Sequence, residues 1–390
     1  MTHECTFALS DDDLGRAVHG ALHLEHSADG ITPLRLPPFT RAQQADAAIE
    51  RFAAHTSGVT LRLVTAAKAL ELTATFTFTV GPGAVPHPAV LVAQAGPASE
   101  RVSVAEGDTW IEARDRTATL RRGERSDIRF LLGGDGTTER DVVVWLPHNA
   151  ATTLHSVRAS APLAPAPESH GVRWLHYGSS ISHGSDLADP RQPWPHQVAA
   201  AQNWQLSNLG FAGNAMLDPF VARTIAATNA DLITLKVGIN LVTGDAMRLR
   251  TFVPALHGFL DTIRDGHPDT PIALITALAC PILENTTGPV REASPGKAGG
   301  TPREIPPGDG SLTLSRTREA IAQVVDARTD ALFLVDGLTL LSLDEPERLP
   351  DNLHPDAHGH ELIATRFIRA LRDGTTPLGR AVAALNNRPN

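Results

Sequence analysis

The sequence predicts two domains, a β-sandwich followed by an α/β domain built on a parallel sheet. Short apolar runs with the two-residue period of strands fill the first 160 residues, whereas strand candidates alternate with helical stretches from about residue 171 onward. The chain has 390 residues, which is long for a single hydrophobic core. We therefore assign 1–160 to the sandwich, 161–170 to a linker and 171–390 to the α/β domain.

The first half of the chain has its clearest strand pattern in Leu70–Val80. There Leu72, Phe76 and Phe78 alternate with threonine and glutamate, so that one face is buried and the other is solvated. Further strand candidates are Val59–Val64, Ala89–Gln94, Thr109–Ala113, Asp127–Leu132 and Val142–Leu146. Seven or eight strands of this kind, each with one buried face, predict a sandwich.

A proline-rich stretch, Ala161–His170, separates the two patterns and does not suit a regular strand ladder. The strand candidates after it are nearly all apolar, as burial on both faces of a parallel sheet requires. They are Val172–Tyr177, Gln205–Leu209, Leu232–Val237, Ile272–Leu278 and Leu332–Val335. The stretch Pro281–Gly310 is too long for a simple connection, which favours a functional or mobile loop.

Composition and charge exclude several classes of protein. The net charge is -9 and no dense run of Lys or Arg occurs, which argues against a nucleic-acid partner. Two cysteines, Cys5 and Cys280, form neither a disulfide framework nor a metal knuckle. No apolar run approaches the roughly 20 residues that span a bilayer, and Met1–Ser10 lacks a secretory pattern. We therefore expect a cytoplasmic protein.

Ser180 is the first candidate for a catalytic side chain. It lies in Tyr177–Gly184, directly after the first strand of the α/β domain, and ligands bind at the carboxyl edge of such sheets. A serine there is placed to act as a nucleophile. The alternative is that the Gly-Ser-Ser turn only caps a helix.

His354 and Asp351 are the matching candidates near the end of the chain. In Asp351–Pro355 the carboxylate precedes the imidazole by three residues, so the two side chains can meet on one short turn. Asp351 would accept a hydrogen bond from Nδ1 of His354 and leave Nε2 free to take the serine proton. The alternative is a surface loop that leads into a helix at Asp356.

Together these motifs resemble the signature blocks of the SGNH hydrolases, the GDSL family. Gly178–Ser182 and Asp351–Pro355 are similar to the first and last blocks, Asn208–Asn214 to the NxGxxG block and Gly238–Asn240 to the GxN block. The resemblance implies a three-layer, flavodoxin-like SGNH domain and a Ser180–His354–Asp351 triad. It also implies an oxyanion hole formed by the amides of Ser180 and Gly213 and the carboxamide of Asn240, since a tetrahedral oxyanion needs fixed donors.

Other residues depart from the family pattern or compete with it. Ser179 and Leu241 stand where the family usually has aspartates. These departures bear on the hydrogen bonds around the catalytic residues and on water access, and so on the rate and outcome of the reaction more than on the identity of the nucleophile. We include Ser179, His183 and Trp194 as candidate substrate-binding residues, although a solvated histidine and a packed tryptophan are simpler interpretations. Gly308–Leu312 nearly repeats the GDSL signature but follows no strand.

The sequence predicts neither a metal site nor a bound cofactor. It contains no HExxH helix, phosphate-binding loop or GxSxG elbow. His358 and His360 are better explained as the start of the last helix, with His360 on its inner face, than as metal ligands.

The predicted reaction is acyl transfer through an acyl-serine, with small molecules as donor and acceptor. Water as acceptor gives an esterase acting on a small molecule or a carbohydrate, and an alcohol in a water-excluding site gives an acyltransferase. The absence of an export signal, the front domain and the long loop favour transfer. A further hypothesis is an inactive hydrolase domain that acts as a binding module.

The two-domain layout, rich in Arg and poor in Lys, also resembles GDSL acyltransferases of polyketide pathways for antibiotics. This resemblance implies acyl-CoA as donor and a flat, tetracycline-like alcohol as acceptor. Some two-domain members of the family carry a front sandwich like a carbohydrate-binding module. The oligomeric state stays open.

Overall fold

The structure, a computed structural model, describes residues 4–45, 47–81, 83–113, 117–302 and 308–387. The chain forms two compact units. The first consists of Met1–Ser169 with Ala188–Arg191, and the second of His170–Leu187 with Gln192–Asn390.

The first unit is built almost entirely from strands. Its strands are β1 Phe7–Ala8, β2 Val18–His19, β3 His23–Ser27, β4 Gly30–Leu34, β5 Thr60–Thr65, β6 Ala69–Val80, β7 Ala89–Ala95, β8 Ala98–Val104, β9 Asp108–Glu112, β10 Ala118–Arg121, β11 Ser126–Leu131, β12 Arg140–Trp145, β13 Ala151–Ala159 and β14 Leu163–Pro165. Two short helices, α1 Asp11–Ala17 and α2 Ala48–Ala54, and a 3-10 helix, Pro38–Gln43, accompany them.

These strands form an eight-stranded and a six-stranded sheet that share one core. The longer sheet runs β10-β9-β6-β13-β4-β3, with β1 beside β13 and β11 beside β6, and the other runs β14-β5-β12-β7-β8, with β2 beside β5. Phe76 of β6 and Leu61 of β5 are fully buried in the same cluster, so the two sheets pack face to face. The predicted sandwich is confirmed, but the expectation of seven or eight strands was too low.

The proline-rich stretch after the sandwich corrects one expectation. Leu163–Pro165 forms β14, which pairs antiparallel with β5, so the prediction that this stretch holds no ladder is wrong. The strand is tolerated because β14 lies at the edge of its sheet and Pro165 is its last residue.

The second unit alternates strands and helices. Its strands are β15 Arg173–Gly178, β16 Gln205–Gly210, β17 Leu232–Lys236, β18 Ile272–Ile275, β19 Arg291–Ser294, β20 Lys297–Gly299 and β21 Leu332–Val335. Its helices are α3 Ser180–His183, α4 Trp194–Gln202, α5 Pro219–Ala227, α6 Ile239–Thr243, α7 Leu249–Gly266, α8 Leu314–Asp326, α9 Ala357–Arg372 and α10 Pro377–Asn386, with 3-10 turns at Pro281–Leu283, Gly337–Thr339 and Pro346–Arg348.

The five predicted strands form one parallel sheet with the order β16-β15-β17-β18-β21. This 2-1-3-4-5 order is that of flavodoxin-like folds, in which ligands bind where the strand order reverses, here beside β15. Trp174 of β15 contacts Trp194 of α4, whereas Tyr177 stacks on Phe259 of α7 with ring centroids 5.4 Å apart. Since Trp174 and Tyr177 point to opposite faces of the strand, helices cover both faces and the predicted three-layer architecture is confirmed.

The long connection Pro281–Gly310 contains regular structure. After the 3-10 turn, β19 and β20 form a small antiparallel hairpin, and residues 303–307 of this predicted loop lie outside the described residues. The amide of Ala298 in β20 donates to the carbonyl of Asp351 at 2.8 Å. The hairpin therefore packs against the turn that carries the DxxH motif.

Among the residues that the structure describes, no helix combines the length and the apolar character that crossing a bilayer demands.

Candidate active site

Ser180 lies at the carboxyl end of β15, as the first residue of the short helix α3. Ser179 caps this helix, with its side chain accepting from the amide of Ile181 at 3.4 Å. The turn requires small residues, because a Cβ on Gly178 would lie 2.3 Å from Oγ of Ser182, and a Cβ on Gly210 of β16 would lie 2.5 Å from the amide nitrogen of His183. The glycines thus allow α3 to sit tightly on the sheet edge.

His354 reaches Ser180 from the turn that precedes α9. Its Nε2 lies 2.9 Å from Oγ of Ser180, although the two residues are 174 positions apart in sequence. This distance suits proton transfer from the serine hydroxyl to the imidazole. The structure therefore brings together the two residues on which the sequence prediction depends.

Asp351 holds both the turn and the imidazole. One carboxylate oxygen accepts from the backbone amides of Leu353 at 2.8 Å and His354 at 2.6 Å, and the other accepts from Nδ1 of His354 at 2.7 Å. A proton on Nδ1 leaves the lone pair of Nε2 facing Ser180. With a spacing of three residues, the carboxylate of Asp351 can both close the turn and orient the ring of His354.

Asp186 is a second carboxylate at the same nitrogen, and the sequence reasoning missed it. Its Oδ2 lies 2.9 Å from Nδ1 of His354. The side chain is 57% exposed and lies in the loop after α3, six residues beyond Ser180. The signal available in the sequence was an acidic residue close to the nucleophile, but no motif linked it to His354.

The two carboxylates raise the pKa of His354. Burial lowers the pKa of His354, but the hydrogen bonds to Asp186 and Asp351 and their negative charges outweigh this effect and raise the pKa to about 9. Burial raises the pKa of Asp351, yet the hydrogen bonds from the ring and amide of His354 and from the amide of Leu353 lower it to about 2. Asp351 is thus ionised at neutral pH, and His354 is a strong base.

Gly213 and Asn240 follow the two strands that flank β15, Gly213 in the turn after β16 and Asn240 in the short helix after β17. Asn240, in α6 after β17, is 4% exposed, and its Oδ1 accepts from the amide of Ala215 at 3.0 Å. This bond fixes the amide so that Nδ2 is available as a donor, and Nδ2 has no protein acceptor in the described part of the chain.

The backbone at Gly213 also has free space beside it. Its φ is +68°, and a Cβ there would have no heavy atom within 4 Å beyond its chain neighbours. Within the described ranges, the amides of Ser180 and Gly213 donate to no protein acceptor. Three donors are therefore available for an oxyanion at this edge of the sheet.

The side chains predicted to touch substrate lie inside the protein. Ser179 and Trp194 are 0% exposed and His183 is 1% exposed. Trp194 packs on Trp174, His176 and Phe367, and Nδ1 of His183 lies 3.0 Å from the carbonyl of Gly210. The prediction that these three side chains contact substrate directly is wrong, because each is packed away from solvent: Ser179 caps α3, His183 is its last residue and Trp194 begins α4. The packed tryptophan is confirmed, whereas the solvated histidine is wrong.

Local structure explains the two other motifs of the sequence, the near-repeat of the GDSL signature and the histidine pair of α9. Ser311, in the near-repeat of the GDSL signature, is buried and donates to Asp309. His360 is buried and accepts from the amide of Trp194, whereas His358 is exposed and pairs with Glu361. The two histidines thus serve different faces of α9.

Among the described residues, Asp186, Asp351 and His354 could together hold a metal ion, since their ligand atoms lie within 4.8 Å of one another. An ion would occupy the lone pair of Nδ1 and prevent the hydrogen bond from His354 to Asp351. That arrangement is incompatible with the tautomer that faces Ser180, so we derive no metal chemistry from it.

The fold and the site together define a class of enzyme. Residues 176–362 match the model of the GDSL-like lipase/acylhydrolase family. The resemblance inferred from the four motifs is thereby confirmed. The protein is an enzyme of acyl-group chemistry, either an acyltransferase or a carboxylic ester hydrolase.

Several solved structures are similar over nearly the whole chain. Salicylyl-acyltransferase SsfX3 from a tetracycline biosynthetic pathway is 25% identical, with 95% of each chain covered and a TM-score of 0.72. A GDSL-like lipase from Bacteroides ovatus is 17% identical, covering 95% of this chain and 97% of its own, with a TM-score of 0.67.

A family two carbohydrate esterase from Clostridium thermocellum, in complex with cellohexaose, is 11% identical. The match covers 92% of this chain and 99% of that one, with a TM-score of 0.59. None of the curated protein sequences matches the chain.

Proposed function

We propose that the protein is a serine acyltransferase that moves an aryl acyl group from a thioester to a hydroxyl of a polycyclic natural product. The observation that carries the serine chemistry is the 2.9 Å contact between Oγ of Ser180 and Nε2 of His354. Support for transfer comes from the likeness to salicylyl-acyltransferase SsfX3, which extends over 95% of both chains.

The proposed first half-reaction forms an acyl-serine. Oγ of Ser180 attacks the thioester carbonyl carbon while Nε2 of His354 takes its proton. The oxyanion is stabilised by the amides of Ser180 and Gly213 and by Nδ2 of Asn240. When the intermediate collapses, the carbon–sulfur bond breaks, and the thiolate leaves with the proton that His354 returns.

The second half-reaction repeats these steps with the acceptor. Nε2 of His354 deprotonates the acceptor hydroxyl, whose oxygen attacks the acyl-serine carbonyl, and the returned proton restores the Ser180 hydroxyl. The product is an ester of the acceptor. Acyl-CoA, the thioester donor in this scheme, is a substrate, and the scheme uses no bound cofactor.

Hydrolysis is the second candidate, and the exposure of the base favours it. The side chain of His354 is 23% exposed, so water can approach the ring that would activate an alcohol. With water as acceptor, the same residues make the protein an esterase for O-acyl esters of a small molecule or a carbohydrate.

A panel of acyl thioesters tests the proposal. Acetyl-CoA, benzoyl-CoA and salicylyl-CoA are incubated with and without tetracycline, and free acid and new ester are followed by mass spectrometry. We expect an aryl ester when the acceptor is present and little acid without it. Equal release of acid with and without acceptor would instead indicate an esterase.

Two variants control this assay. Ser180→Ala should abolish both products, because it removes the hydroxyl that forms the acyl-enzyme in the proposed mechanism. Ser185→Ala should behave as the wild type, since the Ser185 hydroxyl is buried and has no hydrogen-bond partner in the described structure. A wild-type protein that forms neither acid nor ester would favour the inactive binding module.

A further inference from the structure

Two carboxylates from separate parts of the chain converge on one nitrogen of the base. Asp351 is held in the turn before α9, and Asp186 lies in the loop after α3, yet their Oδ2 atoms lie 2.7 Å and 2.9 Å from Nδ1 of His354. The family motif accounts for the first contact alone. The segment that carries Ser180 therefore also carries an acid that contacts the base.

The two acids differ in how firmly they are placed. Asp351 also accepts two backbone amides, so its carboxylate is fixed by the turn. Asp186 has an exposed side chain, whose carboxylate contacts His354. Because Nδ1 carries one hydrogen, the two oxygens share a single donor in a three-centre arrangement.

We propose that Asp186 is a positioning residue that shares the Nδ1 hydrogen of His354 with Asp351, so that two carboxylates together hold the orientation of the imidazole. This inference rests on the proposed function of Ser180 and His354. Each carboxylate stabilises the imidazolium that forms when Nε2 takes the proton of Ser180. The second acid makes His354 a stronger base but also keeps more of it protonated at neutral pH.

The surroundings of His354 allow this effect to be isolated. Within the described residues, the charged groups that act on the ring are Asp186 and Asp351. The thiol of Cys280 lies near Asp351, but burial raises its pKa to about 12, so it stays neutral over the range of interest. Replacing one acid by its amide therefore removes one charge at nearly constant shape.

The pH dependence of kcat/KM in Asp186→Asn tests the proposal. Removing one nearby charge should move the acid limb of the profile to lower pH by about one unit. The rate on the alkaline plateau should fall several-fold, while the loss near neutral pH is smaller. An unchanged limb with a uniform loss at all pH values would show a merely structural role and overturn the proposal.

Asp269→Asn is the matched control for charge. Asp269 is exposed and precedes β18, so it lies at the amino edge of the sheet, opposite the site. The same loss of charge there should leave the pH profile unchanged. A shift of the limb in Asp269→Asn would mean that net charge alone explains the result.

A double-mutant cycle measures the sharing directly. If the acids support one base together, Asp351→Asn should cost at least about tenfold more in kcat/KM when Asp186 is also Asn, because contacting residues are not additive. Equal costs of Asp351→Asn in both backgrounds would overturn the proposal.

Titration of the His354 ring by NMR does not depend on turnover. In protein labelled with 15N-histidine, with His354→Gln used for assignment, Asp186→Asn should lower the midpoint of the His354 titration. A lowered midpoint in a protein without activity would support the contact while the proposed function fails. An unchanged midpoint would overturn the role of Asp186 even in an active enzyme.

Discussion

At the scale of single residues, Asn240 is a buried polar side chain that is fixed in one orientation. It is almost fully buried, and the amide of Ala215 occupies its carbonyl oxygen at 3.0 Å. The NH2 group is left as a fixed donor beside the strand that presents Ser180. A donor fixed before the reaction stabilises developing negative charge more than a mobile one does.

Asn240→Ala should lower kcat on the order of 100-fold to 1000-fold, the usual cost of removing one oxyanion donor. Turnover of benzoyl-CoA measures this loss, and thermal unfolding checks that the variant is folded. As a control, Asn285→Ala should keep normal turnover. Asn285 lies in the loop after β18, and its side-chain amide contacts Ser315 of α8. Full activity in Asn240→Ala would remove this residue from the site.

The motifs in the sequence predicted Ser180, His354 and Asp351 as neighbours because each is tied to a local pattern. Ser180 follows an apolar strand, and Asp351 lies within reach of His354 on one turn. Asp186 could not be predicted, since its contact depends on the path of an irregular loop. His183 and Trp194 were wrong as substrate contacts because a polar or amphipathic residue near a nucleophile can also be fully packed, and for Trp194 the structure confirms the alternative of a packed tryptophan.

At the scale of elements, helix α3 is held to the sheet by a buried polar network. Oγ of Ser182 lies 2.7 Å from Nε2 of His176, whose Nδ1 lies 2.7 Å from Oγ1 of Thr234 in β17. The side-chain amide of Asn208 donates to the carbonyl of Ser182 at 2.9 Å. These bonds join β15, β16 and β17 to the short helix that begins with Ser180.

Ser182→Ala should destabilise the second unit by roughly 1 to 3 kcal/mol, because it leaves a buried ring nitrogen of His176 without its partner. Urea unfolding followed by tryptophan fluorescence measures the change. In the neighbouring Ser185→Ala variant, where the deleted hydroxyl has no partner among the described residues, stability should stay within about 0.5 kcal/mol of the wild type. Equal effects in the two variants would contradict the role of the network.

Strands were predictable where burial produced a regular pattern. β21 matches its prediction at both ends, and β6 was recognised from its alternation. β13, the partner of β6, was missed because a bulge between Leu154 and Ser156 shifts its register and breaks the two-residue period. β8 was missed because its alternating positions are exposed or half-buried, so no apolar face marks it.

At the scale of the whole molecule, protonation of His354 stabilises the folded protein, whereas in the proposed mechanism it opposes catalysis. The pKa of His354 is raised from its usual 6.5 to about 9, so the folded protein binds this proton more tightly than the unfolded chain does. The resulting stability is fully present below pH 6.5 and is lost as the pH rises through about 9. The proposed mechanism needs the unprotonated ring, so we expect activity to rise over the same range.

The free energy of unfolding should therefore fall relative to that of His354→Gln between about pH 6 and pH 9.5, by roughly 1 to 3 kcal/mol. The comparison with the variant cancels the contributions of other titrating groups. Urea unfolding at the two pH values measures the difference, and kcat/KM should increase over the same interval. A stability difference that is independent of pH would contradict the charged contact between His354 and its two acids.

In the proposed mechanism the acyl group is carried by Ser180, so trapping the acyl-enzyme is the decisive experiment. The protein is mixed with benzoyl-CoA or salicylyl-CoA without acceptor, quenched in acid, digested and mapped by mass spectrometry. We expect one acyl adduct, on the peptide that contains Ser180, and its absence in Ser180→Ala. An adduct on another residue, or one that persists in Ser180→Ala, would contradict this mechanism.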